Sequence, residues 1–104
     1  MASYLIANYN VNNSEGYGAF VAAVGPTIVA HGGKILVAGT GSTPVEGNPG
    51  GVTVVLELPT REALQGWYDS PEYQEIIHLR TDNTDGDMDW LDQFCRLTGR
   101  LFVF

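Results

Sequence analysis

The chain has 104 residues, which fit one small domain that buries only about two-thirds of the surface of its unfolded form, so a second subunit would help it to bury more. Hydrophobic residues make up 44% and charged residues 16%, a low charge density that favours an oligomer over a small monomer. The net charge of −7, with only five Lys and Arg in all, argues against nucleic acid or an anionic membrane as a partner.

The chain opens with a predicted strand at residues 4–11, where side chains of different polarity alternate. The three residues before it include no basic or long apolar targeting segment, so we expect a cytoplasmic protein. Asn8 is a polar group in the middle of this strand, and it points either into a cavity or to solvent. The more hydrophobic face of the strand carries Leu5, Ala7, Tyr9 and Val11.

The next segment, up to residue 31, predicts a helix, and Asn13 or Ser14 is placed to cap its first turn. Pro26 interrupts the helix because it has no N–H to donate and clashes with the preceding turn, so we expect a kink or two short helices. Gly32 supplies the left-handed conformation that ends the segment. Apolar side chains at helical spacing form the face that we expect to be buried: Tyr17, Phe20, Val21, Val24 and Ile28.

Two runs rich in β-branched residues, at residues 34–39 and 52–58, predict the second and third strands. The loop between them, residues 40–51, is too long and too rich in Gly and Pro for a tight hairpin. It contains no Lys and precedes a strand rather than a helix, which argues against a phosphate-binding loop. We therefore expect a mobile loop at the mouth of a cavity.

Two short helices follow the third strand. Thr60 is placed to cap the first of them, and Ser70-Pro71 starts the second with a capping hydroxyl and a proline at the first helical position. Two abutting apolar helices behind a strand imply a sheet for them to cover. One face of the first helix carries Ala63, Leu64, Trp67 and Tyr68, and one face of the second carries Tyr73, Ile76, Ile77 and Arg80.

A polar stretch at residues 81–87 predicts a turn, and alternation over residues 87–94 predicts the fourth strand. Met88, Trp90 and Phe94 lie on one side of that strand. A calcium loop that begins at Asp82 would need Glu at its twelfth position, where the chain has Gln93. The order of elements, βαββαβ, is the order of a ferredoxin-like unit.

The run WYDSPEY at residues 67–73 closely resembles the signature of the bacterial domain-of-unknown-function family 1330. AHGG at residues 30–33 and YLIA at residues 4–7 also have counterparts in that family, and the likeness covers about residues 3–90. The resemblance implies an α+β fold, a ferredoxin-like protomer with a four-stranded antiparallel sheet that pairs with a second copy into a dimeric α+β barrel. This superfamily also holds cofactor-free monooxygenases, isomerases and cyclases, so the resemblance implies that no cofactor is needed.

His31 and Arg80 are the candidate catalytic residues. His31 continues the apolar stripe of the first helix, and it either transfers protons near neutral pH or caps the carbonyls of the last turn. Arg80 falls on an apolar helix face, where a guanidinium needs an anionic partner. Either Glu57, Asp69 or Asp87 pairs with it as a structural clamp, or it holds a substrate carboxylate or enolate.

Asn8, Trp67 and Tyr73 are the candidate substrate-binding residues. In the fold that the resemblance implies, the open face of the sheet is the cavity side, which places Asn8 in the cavity wall. Trp67 and Tyr73 are aromatic core positions that can border a cavity, and a tyrosine hydroxyl can donate to a substrate oxygen. We predict no metal site, because no metal-ligating set can be assigned and Cys95 is the single cysteine.

We therefore expect a single domain, residues 1–104, that forms a homodimer and binds a small organic molecule in a largely apolar cavity between its sheet and its helices. Two functions stay open: a cofactor-free enzyme of isomerase, cyclase or monooxygenase type, or a non-catalytic binding or assembly protein. In the enzyme, Arg80 would stabilise oxyanion charge, His31 or a carboxylate would move the proton, and Asn8 or Tyr73 would orient the substrate. Residues 95–104 extend beyond the family-like core, and we expect their apolar end, LFVF, to pack on the partner subunit or to add a short strand.

Overall fold

A computed structural model describes residues 1–93 of the chain. The predicted carboxy-terminal extension, residues 95–104, lies outside the described part, and so does Phe94 of the predicted fourth strand. Within the described part the elements follow the predicted order: β1 (Ser3–Val11), α1 (Ser14–Ala30), β2 (Lys34–Gly39), β3 (Val52–Leu58), α2 (Arg61–Tyr68), α3 (Pro71–Thr81) and β4 (Thr84–Asp92).

The four strands form one antiparallel sheet in the order β2-β3-β1-β4, with β1 and β3 at its centre. The helices pack on one face of this sheet. The arrangement is the ferredoxin-like α+β fold that the sequence predicts. The core lies between the two layers and consists of Leu5, Ala7, Tyr9, Phe20, Ile28, Val52, Leu56, Leu58, Leu64, Trp67 and Tyr73.

The pairing register of the strands shows which side chains lie on each face of the sheet. Leu5 lies opposite Leu56 on β3 and Trp90 on β4, and these side chains face the helices. One residue further along, Ile6 lies opposite Val55, on the face that none of the three described helices covers; we call it the uncovered face. Because side chains alternate along a strand, the more hydrophobic face of β1 is the one that turns towards the helices.

The helices begin at polar cap residues, as predicted: Asn13 for α1, Thr60 for α2 and Ser70 for α3. Each of these side chains accepts a hydrogen bond from a backbone N–H of the first turn. Gly32, the second residue after α1, has a φ of 78°, which is the predicted left-handed conformation that terminates the helix. Local sequence therefore sets the helix ends in this chain.

Pro26 lies inside α1, which runs as one helix from Ser14 to Ala30. A proline in this position removes only the hydrogen bond to the carbonyl of Ala22. Phe20 and Ile28 are buried on either side of it and hold both halves of the helix against the sheet. The predicted alternative of two short helices is therefore wrong.

Strand β4 starts at Thr84, earlier than predicted, so the predicted turn at residues 81–87 shrinks to two residues. The Asn83 side chain donates to the carbonyl of Leu79 at 2.7 Å, and the Thr84 hydroxyl donates to the carbonyl of Arg80 at 2.7 Å. These two bonds close α3 and let the chain turn directly into the sheet. The polar residues that favoured a longer turn alternate onto the uncovered face instead: Asp85, Asp87 and Asp89.

Strand β2 is an edge strand, and all six of its residues are exposed. The predicted bounds of β2 and of β3 match the structure. A bulge at Leu36 shifts the register between Ile35 and Val37, so that Ile35 and Ala38 face the helix side. The helices do not seal this edge, and an opening into the core results.

Candidate ligand cavity

A cavity of about 130 Å³ lies between the sheet and the helices. It runs across the sheet from β2, where Ile35 and Ala38 border it, to β4, where Met88 borders it. Its walls are mostly apolar, so it offers a ligand little hydrogen bonding along most of its length. The remaining lining comes from β1, β3 and the three helices: Leu5, Ala7, Tyr9, Tyr17, Phe20, Val21, Val24, Gly25, Ile28, Val54, Leu56, Trp67, Tyr73 and Arg80.

The edge of the sheet beside β2 forms the mouth of the cavity. Val21 and Ile35 border the cavity and are 54% and 51% exposed, so solvent reaches it between α1 and β2. At the opposite end Arg80 and Met88 also line an open groove on the outer side of α3 and β4. The cavity therefore has an apolar entrance at one end and a guanidinium at the other.

Arg80 supplies the positive charge at the end of the cavity opposite the mouth. Its Nε atom is buried and has no hydrogen-bond partner among residues 1–93. Within the same part of the chain, the ion pair that the structure shows joins Arg61 to Asp92 and does not involve Arg80. A buried polar group without a partner is costly, which makes Arg80 the polar feature of the cavity that most needs a ligand.

The predicted clamp partners of Arg80 lie elsewhere. Glu57 and Asp87 face the uncovered side of the sheet, and Asp69 is exposed at the joint between α2 and α3. None of the three is within 4.0 Å of the guanidinium. The segment that follows the described part, residues 94–104, contains no Asp or Glu. The structure therefore contradicts the clamp, because α3 turns Arg80 into the core while these carboxylates point outwards.

Two tyrosine hydroxyls meet at the cavity wall. The hydroxyl oxygens of Tyr9 and Tyr17 lie 2.7 Å apart, and their rings meet edge to face with centroids separated by 5.7 Å. Burial raises the pKa of Tyr9, the hydrogen bond with Tyr17 raises it further, and the positive charge of Arg80 partly opposes both effects. Tyr9 is therefore a protonated hydrogen-bonding group at neutral pH.

Tyr73 and Trp67 form the aromatic part of the wall. Their ring centroids are 4.2 Å apart, and the Trp67 Nε1–H donates to the Thr27 hydroxyl at 3.0 Å. Burial raises the pKa of Tyr73, while the positive charge of the neighbouring Arg80 and a hydrogen-bonding interaction with its guanidinium oppose that rise. The structure thus brings Trp67, Tyr73 and Arg80 to one cavity. Their roles in binding or catalysis stay predictions.

Asn8 and His31 are not in this cavity, which corrects the prediction that they line it. Asn8 lies on the uncovered face, where its amide accepts from Gly50 N at 2.6 Å and donates to the carbonyl of Val52 at 3.2 Å. His31 is the C-cap residue of α1, and its Nδ1 lies 3.0 Å from the carbonyl of Thr27. Asn8 thus holds the loop before β3, and His31 closes a helix end.

The cavity lies between the sheet and the helices, and Asn8 does not line it because it lies on the opposite face of β1. Tyr9 and Tyr17 were treated in the sequence analysis as positions on apolar faces and were not identified as polar lining. The sequence does contain one indication of their role: each residue carries a hydroxyl, which needs a hydrogen-bond partner when it is buried on an apolar face. That indication does not reveal that the two hydroxyls meet.

Among residues 1–93, no group of three His, Cys, Asp or Glu side chains is placed to hold a metal ion. In the same part of the chain no helix has the length and apolarity required to cross a membrane.

Comparison with protein families gives a match over residues 2–94 to the model described as Domain of unknown function (DUF1330). A comparison with curated proteins gives no match.

Solved structures share the fold at low sequence identity. A protein of unknown function from Rhodopseudomonas palustris, RPA0582, is 17% identical over 90% of this chain and 83% of that one, with a TM-score of 0.72. SnoaB, a cofactor-independent oxygenase from Streptomyces nogalater, is 6% identical over 88% of this chain and 92% of that one, with a TM-score of 0.65. A putative antibiotic biosynthesis monooxygenase from Caulobacter crescentus is 11% identical over 89% and 90%, with a TM-score of 0.64.

Proposed function

We propose that this chain, which belongs to the family described as Domain of unknown function (DUF1330), binds a small organic molecule in the cavity between its sheet and its helices. The observation that carries the proposal is the buried Nε of Arg80, which has no hydrogen-bond partner among the described residues and borders an otherwise apolar space. The body of the molecule lies between α1 and the sheet, and its polar end lies at Arg80.

The volume of the cavity limits the size of the ligand. An engineered apolar cavity of about 150 Å³ in another protein binds benzene, and the cavity here measures about 130 Å³. The enclosed part therefore suits one six-membered ring or a short branched chain. A ligand with several fused rings would have to extend through the mouth beside β2.

The positive charge of Arg80 favours a ligand with an anionic oxygen at that end of the cavity. A guanidinium binds a carboxylate, a phenolate or an enolate through charge-assisted hydrogen bonds, which are roughly twice as strong as neutral ones. The apolar walls strengthen this interaction because they lower the local dielectric constant. We therefore assign to Arg80 the binding of the ligand oxygen.

We further propose that the bound molecule reacts without a cofactor, in an isomerisation, cyclisation or oxygenation. In each of these reactions negative charge develops on an oxygen next to the reacting carbon, and a fixed guanidinium stabilises that charge in the transition state. A solved structure with the same fold is that of a cofactor-independent oxygenase, which supports this type of chemistry through the fold alone.

The second candidate function is non-catalytic binding. It is favoured by one observation: no Asp, Glu or His borders the cavity in the part of the chain that the structure describes. A binding protein needs no such base, whereas proton abstraction does.

Thermal unfolding in the presence of small carboxylates, phenols and quinones tests the proposal, because a ligand that binds only the folded state raises the melting temperature. We expect stabilisation by compounds with a single ring and loss of that stabilisation in Arg80→Met. Arg61→Met is the matched control, since it removes an exposed guanidinium and leaves the cavity intact. No stabilisation by any compound, or equal stabilisation of Arg80→Met, would contradict the proposal. Turnover of a stabilising compound would then separate an enzyme from a binding protein.

We also propose that the uncovered face of the sheet pairs with a second copy of the chain. Large apolar side chains are exposed on this face, among them Ile6 at 36% and Leu91 at 59%. Ile6→Glu places a charge on this face beside Asp89, and we expect it to convert a dimer into a monomer in light scattering. Val45→Glu, at a loop position that is 90% exposed, is the control. A monomeric wild type, or a dimer that Ile6→Glu leaves unchanged, would contradict this pairing.

A further inference from the structure

The hydrogen-bonding groups of the cavity are donors at neutral pH. The ionisable side chains that border it in the described part of the chain are three tyrosines and Arg80. A guanidinium stays protonated in proteins and accepts no hydrogen bond. Burial raises the pKa values of Tyr9 and Tyr73, so these phenols keep their protons. Among residues 1–93, the cavity lining therefore contains no carboxylate or imidazole that would take a proton from a bound acid.

Counting hydrogens shows a further free donor in the lining of the cavity that contains Arg80. The hydroxyls of Tyr9 and Tyr17 carry one hydrogen each, and their mutual bond of 2.7 Å uses one of the two. Among residues 1–93 neither hydroxyl has another hydrogen-bond partner. One O–H of the pair is thus left to donate, and the Nε–H of Arg80 is left as well.

These donors favour the ionised form of an acidic ligand over its neutral form. A neutral acid that enters leaves the charge of Arg80 uncompensated in a low-dielectric space, and among the described lining residues the side-chain acceptors for its O–H are neutral tyrosine hydroxyls. An anion neutralises the guanidinium and accepts from both free donors. A neutral acid cannot become an anion inside the cavity by giving its proton to the protein, since no Asp, Glu or His lines the cavity in the described part of the chain.

We infer that the cavity takes up its ligand as an anion that has already formed in solution, and that the ligand class is single-ring aromatic carboxylates and acidic phenols. This inference rests on the proposed function. Arg80 and the free hydroxyl of the Tyr9–Tyr17 pair hold the anionic oxygen, and the apolar walls hold the ring. Any reaction in the cavity then starts from the anion, so substrates that ionise only in strong base are excluded.

The test uses para-nitrophenol, whose absorbance reports whether it is ionised, and para-nitroanisole, its neutral methyl ether. We expect the protein to bind the phenolate and to lower the ionisation midpoint of the bound probe by about one pH unit or more, as an opposite charge at close range does. We expect no binding of the ether. In Arg80→Met the downward shift should disappear, while in Arg61→Met it should remain.

The double substitution Tyr9→Phe/Tyr17→Phe provides a second variant that leaves Arg80 in place. Either single substitution would leave the other hydroxyl free to donate, whereas the double substitution removes both hydroxyls, and we expect it to weaken phenolate binding about fivefold, the loss typical of one hydrogen bond.

Two results would overturn the inference and are distinguishable. If the ether binds as tightly as the phenolate, or if the midpoint of the bound probe rises, the cavity binds neutral molecules and only the inference fails. If neither probe binds and no compound in the thermal screen stabilises the protein, the proposed function fails and the inference fails with it.

Discussion

The substitution Arg80→Met tests whether the Arg80 guanidinium lacks a partner in the ligand-free protein or is already paired with another group of the protein. Methionine keeps the length of the apolar stem and removes the buried Nε, which has no hydrogen-bond partner among residues 1–93. A buried donor without a partner costs about 1–3 kcal/mol. We therefore expect the free energy of unfolding of the ligand-free protein to stay unchanged or to rise by about 1 kcal/mol. For a domain of this size that rise corresponds to about 4–8 °C in Tm.

The measurement is urea unfolding at fixed protein concentration, followed by tryptophan fluorescence, since Trp67 is buried beside the cavity. Arg61→Met is the control. It breaks the ion pair between Arg61 Nε and Asp92 Oδ1, whose side chains are 42% and 53% exposed, and exposed pairs contribute at most about 1 kcal/mol. If Arg80→Met instead lost about 3–5 kcal/mol, the cost of breaking a buried ion pair, a partner would hold the guanidinium and the reasoning would be refuted.

Other variants test the packing around the site, each by the free energy of unfolding. Because the raised pKa of Tyr9 keeps it protonated in the folded state, its stabilising effect is complete below about pH 10 and lost at higher pH. When the pH is raised from about 9 to about 11, we expect the free energy of unfolding to fall less in Tyr9→Phe than in the wild type. Equal falls in the two proteins would contradict the raised pKa of the buried Tyr9 hydroxyl. Gly86→Ala would push a methyl group into the backbone of β1 and should cost about 1–3 kcal/mol, whereas Gly18→Ala, with open space on α1, should gain about 0.5–1 kcal/mol. Equal changes in the free energy of unfolding for these two variants would contradict the close approach of Gly86 to the backbone of β1. Ser70→Ala should cost about 1–2 kcal/mol through loss of the α3 cap, and an unchanged stability would show that the cap is not needed.

Most of the sequence features that define this fold depend only on neighbouring residues, so local patterns predict the fold well. The caps, Gly32 and the bounds of β2 and β3 depend on a few neighbouring residues, and the structure has them where the sequence places them. Strand β4 is the exception, since its alternating Asp residues favour a turn as strongly as they favour a solvent-facing strand face. Pairing with β1 decides between the two, and pairing is not a local property.

The candidate site is only partly predictable for the same reason. Helical spacing is enough to place Arg80 on an apolar face with Tyr73. It cannot show whether a carboxylate meets Arg80, since that depends on which side of the sheet each carboxylate faces. Alternation in β1 likewise defines two faces for Asn8 without showing which of them borders a cavity. The meeting of Tyr9 and Tyr17 depends on the tertiary packing of α1 on β1.

The most direct test of the central claim is an NMR titration of the arginine Nε–H signals with benzoate. Loss of one signal in Arg80→Met assigns it to Arg80, and Arg61→Met assigns the control. We predict that benzoate shifts the Arg80 signal together with the backbone amides of the cavity lining, and that the Arg61 signal stays in place. If saturating benzoate moves the Arg61 signal, or moves neither, Arg80 does not bind the ligand oxygen and the account is contradicted.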